Sequence, residues 1–260
     1  MIPIAATLSL AVTIIGFFGL WLVSLRTKNA AIADVYWGPG FIVIAAVSFI
    51  VNGAFTMNHF ALASLVGLWG LRLGLHLWLR HRAASGEDKR YAVMRERGGK
   101  NWPIKSLFTV FLVQAIVQWL IALPIHLGTT PFAHSDPGIT GRIGILIFAA
   151  GMTLETFADA TLQRFRRNPQ NSGKLLTTGV FAWSRHPNYF GEILVWSGLA
   201  LFAFSMSGAA IVFLSPILLT FLVARASGVP PLEEILKERE GFDEWKARTN
   251  ALIPWPPKID

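Results

Sequence analysis

Residues 189–225 read YFGEILVWSGLALFAFSMSGAAIVFLSPILLTFLVAR, and this stretch decides the fold. It holds two apolar runs, 189–205 and 207–225, that turn on Ser205-Met206-Ser207-Gly208. A bilayer crossing needs about 20 mostly apolar residues. Two such runs on so short a link make an antiparallel membrane hairpin. Working outward, comparable runs lie at about 3–25, 35–57, 59–79, 106–127 and 141–162. The chain therefore reads as all-α, a multi-pass membrane bundle of about seven helices.

Composition agrees. The chain has 260 residues, 53% hydrophobic and only 15% charged, where a soluble domain carries about 25% charged residues. The 10 Trp and 19 Phe suit lipid-facing and interfacial positions. The absence of Cys excludes disulfides, a thiolate nucleophile and a Cys metal site. A net charge of +8 fits either nucleic acid or an anionic membrane surface. The charges lie between apolar runs, so membrane lipid is the partner expected and nucleic acid is not.

The loops fix the orientation. Of 23 Lys and Arg, 21 fall on alternating loops: after span one, over 80–105, over 164–185 and from Arg225 onward. Those loops belong in the cytoplasm, with the N-terminus outside and the C-terminus inside. No positive region precedes the first run and no small-residue cleavage site follows it, so it reads as a span rather than a leader. The chain reads as one integral membrane domain, 1–260, without linker or repeat. Its tail opens on Gly228-Val229-Pro230-Pro231, with a short helix expected from Leu232 to Arg239 and an extended end at Pro254, Pro256 and Pro257.

Three spans carry polar stripes. Arg72, His76 and Arg80 are four apart in span three, and Gln114 and Gln118 in span four. Glu155, Asp159, Gln163 and Arg166 follow steps of four, four and three in span five. Such steps stack side chains on one helix face. Charge in a span is costly and faces the bundle interior. The stripes are expected to meet in a polar cavity open to the cytoplasm; the structural alternative is that they pair with one another as glue. Glu155 and Asp159 have no second His at ligand spacing, so no metal is expected.

The densest chemistry lies between spans five and six and at the start of span six. Arg164, Arg166, Arg167, Lys174 and Arg185 could neutralise phosphates. Trp183 and Tyr189 could stack on a flat ring. Pro187 opens a helix and leaves Asn188 and Glu192 one turn apart on the same side. No GxGxxG or P-loop pattern occurs. A nucleotide would sit in the cytoplasmic mouth of the bundle, and five basic groups suit the extra phosphate of NADPH.

The stretch Arg185-His186-Pro187-Asn188-Tyr189-Phe190-Gly191-Glu192 resembles the steroid 5α-reductase superfamily, nearest its bacterial branch known as domain of unknown function 1295. Sterol Δ14-reductases share a similar segment. Supporting marks are Asp34-Val-Tyr-Trp-Gly38, Gly86-Glu-Asp-Lys-Arg-Tyr91, Ser227-Gly228-Val229-Pro230 and Ala251-Leu-Ile-Pro-Trp255. The resemblance implies a seven-span fold, with substrate held by the helices of about 1–127 and NADPH by about 128–260. It implies reduction of an activated C=C bond in a steroid-like or other enone lipid. The family's cofactor positions fall on Glu155, Asp159, Arg166, Asn188, Glu192 and Arg225; the wider set of cofactor candidates adds Arg164, Lys174, Arg185, His186 and Tyr189. Glu155 departs from the family's Asn, while Val229 and Glu233 stand where the family has His and Tyr. The Gln-Glu pair of the steroid enzymes' second span is missing; Asp34, Tyr36 and Trp37 lie there instead.

The catalytic candidates are Tyr36 or Tyr91 as proton donor, Asp34 to tune it, and Arg72 and His76 to orient the carbonyl. Two other readings stand. Isoprenylcysteine carboxyl methyltransferases place a similar Arg-His-Pro-x-Tyr-x-Gly segment before a hairpin and use S-adenosylmethionine. A non-enzymatic lipid-binding protein is the third. The branch resembled points to the bacterial inner membrane, while substrate identity and oligomeric state stay open.

Overall fold

The computed structural model describes residues 4–53, 55–84, 86–130 and 136–258. Residue 3 of the first expected span, residue 54 of the second and residue 85 of the basic loop lie outside the described residues. Every regular element among the described residues is helical. Six helices are long and apolar enough to cross a membrane: Ile4–Thr27, Met57–Ala83, Lys89–Ile121, Gly138–Arg167, Pro187–Ser207 and Ala210–Leu236. Side chains such as Ile15, Leu71, Leu146 and Ile217 are 62–69% exposed on them, as lipid-facing residues are. The protein is an integral membrane protein built as a helical bundle.

Helix α1 (Ile4–Thr27) is followed by one turn, α2 (Ile32–Val35), and then α3 (Trp37–Asn52). The second span, expected over 35–57, is thus the 16-residue α3. Gly53 ends it in the left-handed conformation, φ 61°, which costs glycine nothing. Thr56 then caps α4 (Met57–Ala83) with a capping box shared with His59. With α2 in front, residues 32–52 cover about 31 Å at 1.5 Å per residue, enough for one crossing.

Glycine sets the closest approach in this part of the molecule. A Cβ on Gly38 would lie 2.3 Å from the Gly70 carbonyl oxygen and 2.9 Å from the Gly74 nitrogen. Gly70 and Gly74 form a small-xxx-small stripe on α4, which lets two backbones touch in a bilayer. Gly38→Leu is expected to push α3 off α4 at a cost of about 1–3 kcal/mol or more, read as a lowered unfolding midpoint in detergent.

Next come α5 (Lys89–Gly98), α6 (Trp102–Ser106), α7 (Val113–Ile121) and α8 (Leu123–Gly128). Between α6 and α7 the helix widens to a π turn over Leu107–Leu112, a local unwinding frequent beside functional residues. Phe17, Ala33, Tyr91, Trp102, Phe111 and Ala115 form a buried core here.

The chain divides into two compact units: Met1–Gly141 with Phe202–Val212, and Arg142–Leu201 with Phe213–Asp260. The second contains α9 (Gly138–Arg167) from residue 142, α10 (Val180–Trp183), most of α11 (Pro187–Ser207), α12 (Leu214–Arg225), α13 (Val229–Leu236) and α14 (Phe242–Arg248). The hairpin link falls later than expected: Ser205, Met206 and Ser207 still belong to α11, and the break comes at Gly208, φ 68°, and Ala209. The tail differs from expectation. Its helix begins at Val229, since Pro230 and Pro231 occupy first-turn positions where no N–H is needed. A second helix, α14, follows and buries Phe242 and Trp245.

Candidate functional site

In the first unit the motif residues 34–38 and 86–91 dock on each other. The Tyr91 hydroxyl donates to Asp34 Oδ1 at 2.5 Å, and Arg90 Nη2 reaches Asp34 Oδ2 at 2.9 Å. Gln114 Nε2 donates to the Tyr91 hydroxyl at 3.0 Å. Because the phenolic proton goes to Asp34, the Gln114 amide can face Tyr91 only with its NH2. Its Oε1 is buried without a hydrogen-bond partner. Gln118, one turn on, donates to the Trp37 carbonyl at 2.7 Å, and Gly40 lies under its amide. The span-four glutamines therefore hold the Asp-Val-Tyr-Trp-Gly turn.

The two tyrosines offered as proton donors differ. Tyr91 is 6% exposed and its hydroxyl is committed on both sides. Tyr36 is half-buried, with its ring edge-on to Phe17 at 5.3 Å. Its hydroxyl hangs over Gly16, where a Cβ would lie 2.8 Å away, and makes no hydrogen bond among the described residues. Arg72 and His76 are half-buried on α4, and each is engaged in polar or ring contacts.

The loop before α5 is fastened by ion pairs. Glu87 accepts the Ala30 N–H at 2.7 Å and pairs with Arg95 at 2.8 Å, while Asp88 caps α5 and pairs with Arg90 at 3.0 Å. Burial alone would raise the Glu87 carboxyl, but Arg95 and the Ala30 N–H outweigh it and hold it below the ordinary carboxylate value. Asp88 is likewise held down by Arg90 against the effect of burial. A carboxylate held low in the folded state contributes stability above the ordinary value, and that stability disappears as pH falls through the lowered one. Glu87→Gln is expected to lose about 1 kcal/mol at neutral pH and to show a flatter decline of melting temperature on acidification than the wild type.

In the second unit, Asp159 on α9 and Asn188 on α11 meet, the amide donating to Oδ1 at 3.1 Å. Gly191 permits this, since a Cβ there would lie 2.6 Å from the Glu155 backbone nitrogen. Glu155 and Asp159 are 3% and 7% exposed, and Glu192 is half-buried one turn from Asn188. Arg164, Arg166 and Lys174 are exposed beyond them. Arg225 is exposed at the end of α12, where it closes an apolar groove of about 580 Å³ lined also by Ser197, Phe213, Ile217, Thr220 and Phe221.

Arg185 and His186 face the tail. Arg185 is 8% exposed; Nη2 lies 2.7 Å from Glu233 Oε1 and Nε donates to the same oxygen at 2.8 Å. Nη1 donates to the carbonyls of Lys246 and Thr249. His186 Nε2 is 3.4 Å from Glu233, and its ring stacks on Tyr189 with centroids 5.4 Å apart. The backbone joins in: the N–H groups of Arg185 and His186 donate to Asn250 and Ala251, and that of Trp255 to Trp183. These two motif residues form a clasp on the tail. Spacing alone could not show it, because Glu233 lies 48 residues on.

The stripes of spans three and four fall in the first unit and that of span five in the second. Among the described residues no group of three His, Asp or Glu stands at metal-binding distance.

A family model described as protein of unknown function (DUF1295) matches residues 20–249. The chain belongs to this family. This DUF1295 protein is 27% identical over 207 residues to an uncharacterized protein of Schizosaccharomyces pombe, covering 70% of this chain and 60% of that one. It is 26% identical over 246 residues to a probable O-methyltransferase of Ustilaginoidea virens, covering 92% and 81%. It is 34% identical over 113 residues to human 3-oxo-5-alpha-steroid 4-dehydrogenase 1, covering 44% and 40%. The chain thus spans 60% and 40% of the length of two of these relatives. No solved structure matches. The family match, together with the steroid dehydrogenase relatives, supports membership of the steroid 5α-reductase superfamily.

Proposed function

We propose that this DUF1295 protein is an NADPH-dependent membrane reductase acting on the activated C=C bond of a lipophilic enone. The observation that carries this reading is the Asp159–Asn188 pair, with Glu155 and Glu192 beside it and exposed cations beyond. The residues fit the cofactor: carboxylates and an amide can take ribose hydroxyls and the nicotinamide carboxamide, and Arg164, Arg166, Lys174 and Arg225 can take phosphates. Arg185 and His186 would act through the tail. Bound NADPH would supply the hydride.

The chain's own residues would handle the oxygen and the proton. Hydride addition at the β-carbon moves an electron pair to the carbonyl oxygen. A hydrogen bond from the Tyr36 hydroxyl would stabilise that developing charge. Asp34, locked by Arg90 and Tyr91, would hold the turn that presents Tyr36. Arg72 and His76 would orient the carbonyl. Proton transfer from the Tyr36 hydroxyl to the enolate oxygen, followed by tautomerisation of the enol to the ketone, would complete the reduction, with water restoring the hydroxyl proton. The test is binding of NADPH to purified protein by nucleotide fluorescence: wild type binds and Arg166→Ala binds about tenfold more weakly. Binding of neither nicotinamide nucleotide would end this reading.

A methyltransferase is the second reading. Three acids, Glu155, Asp159 and Glu192, suit the cationic sulfonium of S-adenosylmethionine, and the probable O-methyltransferase aligns with 92% of the chain.

A further inference from the structure

The stretch 80–105 carries eight Lys and Arg and three acids, Glu87, Asp88 and Glu96. Two acids are neutralised internally, Glu87 by Arg95 and Asp88 by Arg90, while Arg90 also serves Asp34. That leaves Arg80, Arg82, Lys89, Arg97, Lys100 and Lys105, all exposed and without an ion pair among the described residues, against Glu96 alone.

Lys89 and Arg97 share the outer face of α5. Lys89, Val93, Glu96 and Arg97 follow steps of four, three and one along α5, and all are exposed, whereas Tyr91 and Met94 pack on the core from the other face. The face is flanked by apolar side chains at the ends of two spans. Trp78, with Arg82 over its ring at 5.0 Å, is 42% exposed, and Ile104 is 66% exposed. Exposed cations beside exposed Trp and Ile at span ends form the pattern of a surface that lies among lipid headgroups.

We infer that the outer face of α5 and the adjoining span ends bind anionic phospholipid headgroups of the bilayer that the protein crosses. Topology alone needs positive loops; it does not need two of the loop's three acids tied up internally while Lys89 and Arg97 stand on the outer face of α5.

The test compares wild type with the variant carrying K89Q, R97Q, K100Q and K105Q, none of which breaks an ion pair. Both are purified from bilayers of equal phosphatidylglycerol and phosphatidylcholine, and retained lipid is counted by native mass spectrometry. Wild type is expected to retain phosphatidylglycerol in preference, and the variant to lose that preference about tenfold. High salt should do the same to wild type. The melting temperature in phosphatidylcholine alone should be unchanged by the substitutions, which separates lipid binding from folding. Equal phosphatidylglycerol retention by both proteins, or retention of nucleic acid in its place, would overturn the inference.

Discussion

Glu233→Ala is expected to cost about 3–5 kcal/mol of stability, the range for removing one partner of a buried ion pair. Glu233 and Arg185 are 9% and 8% exposed, and Lys246 reaches the second carboxylate oxygen at 3.2 Å. Without Glu233 the Arg185 charge stays buried against carbonyls alone, and the tail loses the group that gathers Arg185, His186 and Lys246. Unfolding in detergent should show the loss, and proteolysis should reach the tail first. The double change Arg185→Met with Glu233→Leu should cost less than Glu233→Ala, because no unpaired charge remains. Equal losses in both variants would mean that the tail is held by its apolar contacts.

Tyr36→Phe is expected to lower turnover about 10²–10⁴-fold, the usual contribution of a positioned acid, while leaving melting unchanged. Among the described residues its hydroxyl has no hydrogen-bond partner to lose. Tyr91→Phe should behave in the opposite way. It removes the 2.5 Å bond to Asp34 and the acceptor of Gln114, so about 1–3 kcal/mol of stability should go with a smaller kinetic effect. A larger kinetic effect at Tyr91 than at Tyr36 would exchange their roles.

Hydropathy made most of the bundle legible. It reports lipid exposure helix by helix, so the apolar runs could be located from the residues alone, although the link expected at 205–208 is helical as far as Ser207. The end of α3 was harder. Gly53 stops that helix early, and the apolar residues beyond it, Phe55 and Met57, merely resemble more of the span. Which faces meet is a long-range property. The motif residues 34–38 and 86–91 could be singled out, but the ion pair and the hydrogen bond that join them link positions 56 and 57 apart. Arg185 shows the difficulty most clearly. On sequence it is one more cation in a basic loop, indistinguishable from Arg164; in the structure it is buried against Glu233, a residue whose only signal was that it replaces a family Tyr.

If the acids and the amide of α9 and α11 serve a nicotinamide nucleotide, calorimetry of purified wild type and Asp159→Asn will separate NADPH from S-adenosylmethionine. NADPH is expected to bind to wild type and at least about tenfold more weakly to the variant, with no heat from S-adenosylmethionine. Saturable binding of S-adenosylmethionine, lost in Asp159→Asn, with no response to NADPH, would contradict the nicotinamide reading.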